Sequence, residues 1–207
     1  MLSRACARWF RASGFGMMAA LLVLGWPMSS FTSESPLASF AHYPGQPPLL
    51  AVTFDYPADW KPISSSGSAE SYTQVQVLAP PSFGDRPRTY LIVRARPLKS
   101  SGGRYATAQE AVAAYEATLI PHLRIERRVE SQRYGVAVTQ LDVAGAMQMP
   151  FERLTPAPVP VKGQRLFFEK DGRLYEVGWL AVTSATEQTA AAFAHILDTL
   201  TFVPAPS

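Results

Sequence analysis

Apolar and polar side chains alternate with a period of two through several stretches of this chain, which predicts strands buried on one face. Leu50-Ala51-Val52-Thr53-Phe54-Asp55-Tyr56 is the first, and it stops at Pro57, which has no N–H to give to a ladder. Tyr72 to Leu78 is the second. Tyr90 to Leu98 is the third, with Leu91, Val93 and Ala95 facing one way and Tyr90, Ile92, Arg94 and Arg96 the other. The polar stretch Ser64 to Ser71 reads as a link between strands, and Pro80 to Pro87 as a loop. Two further strands are predicted at Ile125 to Val129 and Gly135 to Val143, with Arg133-Tyr134-Gly135 between them.

The pattern changes period twice. Thr107 and Glu110 have the spacing of a capping box, and Ala108, Ala111, Val112, Tyr115 and Leu119 then recur at helical spacing. Ser184 and Glu187 repeat that spacing before a second helix, whose predicted buried stripe is Phe193, Ile196, Leu197 and Leu200. Between the helices lies a hairpin signal, Leu166 to Lys170 and Arg173 to Trp179 around Asp171-Gly172, a pair suited to a turn with two positive φ angles. Residues 145–163, with Pro150, Pro156, Pro158 and Pro160, read as an extended connector. Thr201-Phe202-Val203 is a short closing strand. Short loops between successive strands favour antiparallel pairing, so the expectation is an α+β domain, a mostly antiparallel sheet flanked by helices.

The amino-terminal pattern is different. Arg4, Arg8 and Arg11, with no acid among them, precede a 13-residue apolar run from Gly14 to Trp26. A relaxed membrane span needs about 20 residues, so the run predicts a secretory signal, with an uncleaved membrane anchor as the alternative. The expected organisation is a leader at 1–30, a Ser/Pro-rich spacer at 31–48 and one domain at 49–203. Charge supports the division. The chain has 19 Lys and Arg against 16 Asp and Glu, and removing the leader's three arginines leaves 16 against 16. The exported part is thus formally neutral.

Its chemistry is sparse. The single cysteine, Cys6, lies in the leader, which leaves no disulfide, thiol nucleophile or thiolate ligand beyond it. His42, His122 and His195 are the three histidines, and no two have zinc-ligand spacing. His195 lies three residues before Asp198, within reach on one helix face. Gly-x-Ser-x-Gly, Ser-x-x-Lys and phosphate-loop motifs are absent. Arg124, Glu126, Arg127, Arg128 and Glu130 predict a solvated strand face with cross-strand ion pairs. No cofactor and no metal are expected.

The opening Phe54-Asp55-Tyr56-Pro57-Ala58-Asp59-Trp60 resembles the strand, Tyr-Pro, two residues, Trp opening of the PsbP-like family. Phe168-Glu169-Lys170-Asp171-Gly172-Arg173-Leu174-Tyr175-Glu176-Val177 and the helix ending Phe193 to Phe202 are similar to that family's close. The resemblance covers about residues 48–203. It implies an antiparallel sheet sandwiched by helices, in exported accessory proteins without enzymatic activity, of which the best known bind the lumenal face of the oxygen-evolving photosystem. The chain departs from those members in having no lipoprotein cysteine after the apolar run and no matching histidine constellation.

These readings together predict an exported, non-catalytic binding protein. Its expected partner is a protein complex at the outer face of the cytoplasmic or thylakoid membrane, or in the envelope, and not nucleic acid. Arg86, Arg88, Arg94, Arg96 and Arg104 form an acid-free basic segment suited to an acidic partner, and Pro156, Pro158 and Pro160 stiffen a second contact surface. The alternative is a carrier of a small apolar ligand, in a pocket lined by Tyr115, Trp179 and Phe193.

Overall fold

The computed structural model describes residues 39–46, 50–67, 72–80, 89–147 and 158–203. All of them fall within one compact unit, Ser35–Ser207. The leader, the spacer before residue 39, Arg86, Arg88 and Pro156 lie outside the described residues.

In chain order the elements are β1 (Phe40–Tyr43), β2 (Val52–Pro57), β3 (Lys61–Gly67), β4 (Tyr72–Leu78), β5 (Thr89–Pro97), α1 (Ala108–Ala117), β6 (Leu123–Arg133), β7 (Val136–Met147), β8 (Val159–Lys170), β9 (Arg173–Val182), α2 (Thr186–Thr199) and β10 (Thr201–Phe202). Seven strands form one sheet in the order β3-β4-β5-β9-β8-β7-β6, and β1-β2-β10 form a smaller one. Every neighbouring pair is antiparallel. The class is α+β, as the run of short-looped strands predicted.

Two turns fix the central register. Asp171 and Gly172 both take positive φ, 50° and 71°, as do Tyr134 and Gly135, 58° and 75°. Both are two-residue hairpin turns whose twist matches the flanking strands.

Strand alternation divides the large sheet into two faces. Tyr175, Val177, Trp179 and Ala181 of β9, with Leu91, Val93 and Ala95 of β5 and Phe168 of β8, belong to a core closed by α2 and the small sheet. Leu174 of β9, Phe167 of β8 and Leu141 and Val143 of β7 belong to a separate core under Ala111 and Val112 of α1. The helices therefore lie on opposite faces. Pro57 ends β2, and Trp60 then folds into the first core, 3% exposed.

Several local expectations change. Phe40–Tyr43, read as spacer, is strand β1, with Phe40 opposite Pro57 and Tyr43 opposite Phe54. Ser64 to Gly67, read as a link, belongs to edge strand β3, with Ser64, Ser65 and Ser66 exposed. The connector is shorter than predicted, because β7 runs to Met147 and β8 starts at Val159. In each case backbone pairing to the neighbouring strand overrides weak local propensity.

The capping expectations separate the two helices. Thr107 Oγ1 accepts the Glu110 N–H at 3.2 Å, and the Glu110 carboxylate accepts the Ala106 N–H at 2.7 Å. Glu169 on β8 accepts the Ala108 N–H, which ties the start of α1 to the hairpin. Ser184 makes no such bond. It lies in the 3-10 turn Thr183–Ala185, and α2 starts after Ala185 without a side-chain cap.

Candidate ligand-binding cleft

The face of the sheet under α1 carries a cluster of buried charges over β5, β8 and β9. Register aligns Gln74 of β4, Arg94 of β5 and Glu176 of β9 in one cross-strand row. Arg94 donates through Nε to Gln74 Oε1 at 2.8 Å and through Nη1 to Glu176 Oε2 at 2.7 Å. The next row holds Ile92, Gly178 and Arg165. Arg165 Nη2 donates to the Tyr90 hydroxyl at 3.0 Å. Arg96 Nη2 and Arg165 Nη1 each lie 3.8 Å from a Glu176 oxygen. Three guanidiniums thus surround one carboxylate among the described residues, with side chains only 10–19% exposed.

Aromatic rings complete the setting. The Tyr72 ring lies 4.9 Å from the Arg94 guanidinium and 5.5 Å from that of Arg96. Arg96 and Arg104 approach the Tyr105 ring at 5.7 and 5.3 Å, and Arg165 approaches Tyr90 at 5.6 Å. Tyr90, Arg94, Arg96, Arg104, Tyr105, Arg165 and Glu176 line a half-open cavity of about 700 Å³, with Leu78, Ile92, Ala111, Tyr115, Phe167 and Leu174 as its apolar and aromatic walls. That volume is typical of small-molecule sites, which span about 300–1,000 Å³.

Burial governs the titration of the cleft. It raises the Tyr115 pKa against the opposing field of Arg165, so the phenol stays protonated. Burial weighs against the charge on Arg165, but Tyr90, Glu176 and Tyr115 outweigh it and raise its pKa. Its guanidinium is a permanent cation.

Gly178 explains how Arg165 reaches this position. A Cβ at residue 178 would lie 2.5 Å from Arg165 Cδ and 3.0 Å from Arg165 Nη1. Only glycine leaves β9 open for the arginine stem to lie across it.

Of the residues expected to bind a partner, Arg94, Arg96 and Arg104 line this cleft. Pro158 and Pro160 lie elsewhere, both exposed, and Pro160 borders a shallower depression with His122, Arg124 and Lys162. The pocket expected between Tyr115, Trp179 and Phe193 is not formed. Tyr115 lines the cleft, whereas Trp179 and Phe193 pack together at 6.5 Å in the core on the opposite face. His195 does not meet Asp198: its ring stacks on Phe40 at 3.6 Å, and Asp198 faces Arg133 at 3.8 Å. His42, expected in the spacer, bonds Asp55 at 2.7 Å across β1 and β2. Of the solvated charges of β6, Arg127 makes the expected cross-strand pair, with Asp142 of β7, whereas Arg124 pairs with Glu126 and Arg128 with Glu130 two residues along the same strand.

Arg165 and Glu176 are the site residues that sequence reasoning missed. Their signal was present: Arg165 stands directly before Leu166-Phe167-Phe168 and Glu176 between Tyr175 and Val177, and a charge set among apolar strand residues needs a partner or a purpose. No group of three or more His, Cys, Asp or Glu side chains suited to a metal occurs among the described residues.

Similarity to known proteins bears on the fold. No family model matches the sequence, and no curated protein matches it. The solution structure of cyanobacterial PsbP (CyanoP) from Synechocystis sp. PCC 6803 is similar with a TM-score of 0.53 and 12% identity, over 86% of this chain and 99% of that one. LpqN, described as involved in cell envelope biogenesis of Mycobacterium tuberculosis, is similar with a TM-score of 0.48 and 16% identity, over 80% of this chain and 92% of that one. The fold is PsbP-like, as the Tyr56-Pro57 opening and the Asp171-Gly172 hairpin implied.

Proposed function

We propose that this protein is an exported, non-catalytic binding protein that captures its ligand in the cleft beneath α1. The observation that carries this reading is a cluster of buried charges opening onto a cavity of about 700 Å³. Burying charge stabilises a fold poorly compared with apolar packing, so a cluster of this kind points to recognition. The described lining offers guanidiniums, phenols and one carboxylate, with no histidine, serine or cysteine for nucleophilic chemistry. Thr118, at the rim, already donates its hydroxyl to the Ala114 carbonyl at 2.8 Å. The leader, with Arg4, Arg8 and Arg11 before its apolar run, supports export. Docking on an envelope or membrane-associated complex fits the same reading as the step at which ligand is delivered or received.

Native mass spectrometry of protein purified from its source tests the reading, coupled to hydrogen exchange. The expected result is a retained small mass, with β5 and α1 better protected than in stripped protein. A protein with no bound mass, and with identical exchange over β5 and α1 in both preparations, would refute it.

A further inference from the structure

We infer that the cleft selects a carboxylate, received by the Arg165 guanidinium, on a ligand whose apolar or aromatic body lies against Ile92, Tyr115 and Phe167. The inference rests on the cleft being the binding site and names its ligand class.

Arg165 is 8% exposed, and its buried Nη1 makes no hydrogen bond. The nearest counter-charge is Glu176 Oε1, at 3.8 Å, beyond hydrogen-bond reach. Glu176 is already engaged at 2.7 Å by Arg94, which has also taken the Gln74 carbonyl. A buried, permanently charged donor left unmet is costly, and a ligand acceptor would satisfy it.

The donor is also held in place. Tyr90 accepts from Nη2, and the missing side chain of Gly178 gives the stem a fixed bed across β9. A guanidinium fixed before binding loses little freedom when a ligand arrives.

The class follows from donor geometry and walls. With Nη2 given to Tyr90, the unmet Nη1 offers a single charge-assisted bond, which suits one oxygen of a planar monoanion such as a carboxylate. The protonated Tyr115 phenol nearby adds a neutral donor, which suits a carboxylate better than a second cation would. Tyr115 and Phe167, with ring centroids 5.6 Å apart, form an aromatic wall for a flat or apolar body.

Isothermal titration of the full-length protein with 2-naphthoate and its neutral isostere 2-naphthamide tests this. We expect naphthoate to bind and naphthamide to bind roughly tenfold more weakly or worse, the difference a charge-assisted bond makes. Arg165→Met is expected to remove the difference between the two probes, with naphthoate losing more than naphthamide. Should that variant not fold, guanidinium nitrogen NMR of the unaltered protein replaces it, and naphthoate must shift the Arg165 side-chain signals. Equal binding of the two probes, or unshifted Arg165 signals, overturns carboxylate selection while leaving the cleft as a binding site. Binding of an oligoglutamate peptide without naphthoate overturns it in favour of an acidic protein partner. If neutral, anionic and cationic aromatic probes all fail to bind, the inference and the cleft reading fall together.

Discussion

The two faces of the seven-stranded sheet are built from alternate residues of the same strands, yet they solve different problems. Under α2 and the small sheet, Phe168 stacks on Tyr175 at 5.3 Å, Tyr134 and Phe202 close around them, and charge stays at the edge, where Lys170 Nζ lies 5.1 Å over the Phe202 ring. Under α1, the apolar core covers β7 and the hairpin end of β8 and β9 and gives way to Arg94 of β5, Arg165 of β8 and Glu176 of β9. A sheet half devoted to close packing leaves the other half free to hold charges that contribute little to stability. Recognition is expected where packing is least complete.

Adjacent residues sharpen the contrast most. Phe168 is fully buried in the aromatic core, and Phe167 faces the cleft. Phe168→Ala should cost about 4 kcal/mol, within the range for deleting a buried ring, and Phe167→Ala about 3 kcal/mol or less because its cavity merges with existing space. Urea unfolding of both variants checks this. Equal losses would mean that the cleft face is packed as tightly as the other, and the contrast would fail.

Within the cleft, the charges are not equivalent. Glu176→Gln removes the carboxylate that Arg94, Arg96 and Arg165 surround and should cost about 3 kcal/mol, the loss typical of a broken buried ion pair. Arg165→Met removes a cation whose Nη1 has no hydrogen-bond partner, and should leave stability within about 1 kcal/mol of the unaltered protein. Thermal unfolding of the two variants separates a charge kept for the fold from one kept for a ligand. A loss from Arg165→Met as large as that from Glu176→Gln would make Arg165 structural.

How much of this was legible in sequence follows from the range of each interaction. The alternation of Tyr90 to Arg96 placed Arg94 and Arg96 on one face correctly, because that needs only strand period. Their burial was not legible, since it depends on α1 and on Glu176, more than 80 positions from Arg94. The Asp171-Gly172 turn and the Thr107 cap were legible because each is closed by local bonds. β1 and β3 were not, because Phe40–Tyr43 and the serines of Lys61–Gly67 have weak strand propensity and become strands only by pairing with the next strands, β2 and β4.

Alkaline titration compares the faces through their tyrosines. Burial raises the pKa of Tyr134 and Tyr175 on the core side and of Tyr115 in the cleft. A raised folded-state pKa means the folded protein holds the phenolic proton more tightly than the unfolded chain does. The resulting stability is complete below the unfolded value near 10 and is lost as pH rises through the folded values. Tyr134 also donates to the Leu197 carbonyl at 2.7 Å. Tyr134→Phe should therefore make unfolding less dependent on pH above about 10. An unchanged slope in pH-dependent denaturation would place the sensitivity on Tyr175 or Tyr115 instead.

The smallest difference lies in how the covering helices begin. Thr107 and Glu110 cap α1, the helix over the cleft, whereas Ser184 supplies no cap to α2, the helix over the core. Thr107→Ala should destabilise the protein by about 1 kcal/mol, and Ser184→Ala should change it by less than about 0.5 kcal/mol. The helix above the less complete packing is the one held by its own terminal bonds and by Glu169, while α2 is held by Phe193, Ile196 and Leu197 in the aromatic core. Chemical denaturation, with amide exchange at Ala106, Ala108 and Glu110, distinguishes the two. Equal effects of the two substitutions would show that capping does not compensate for the open cleft beneath α1.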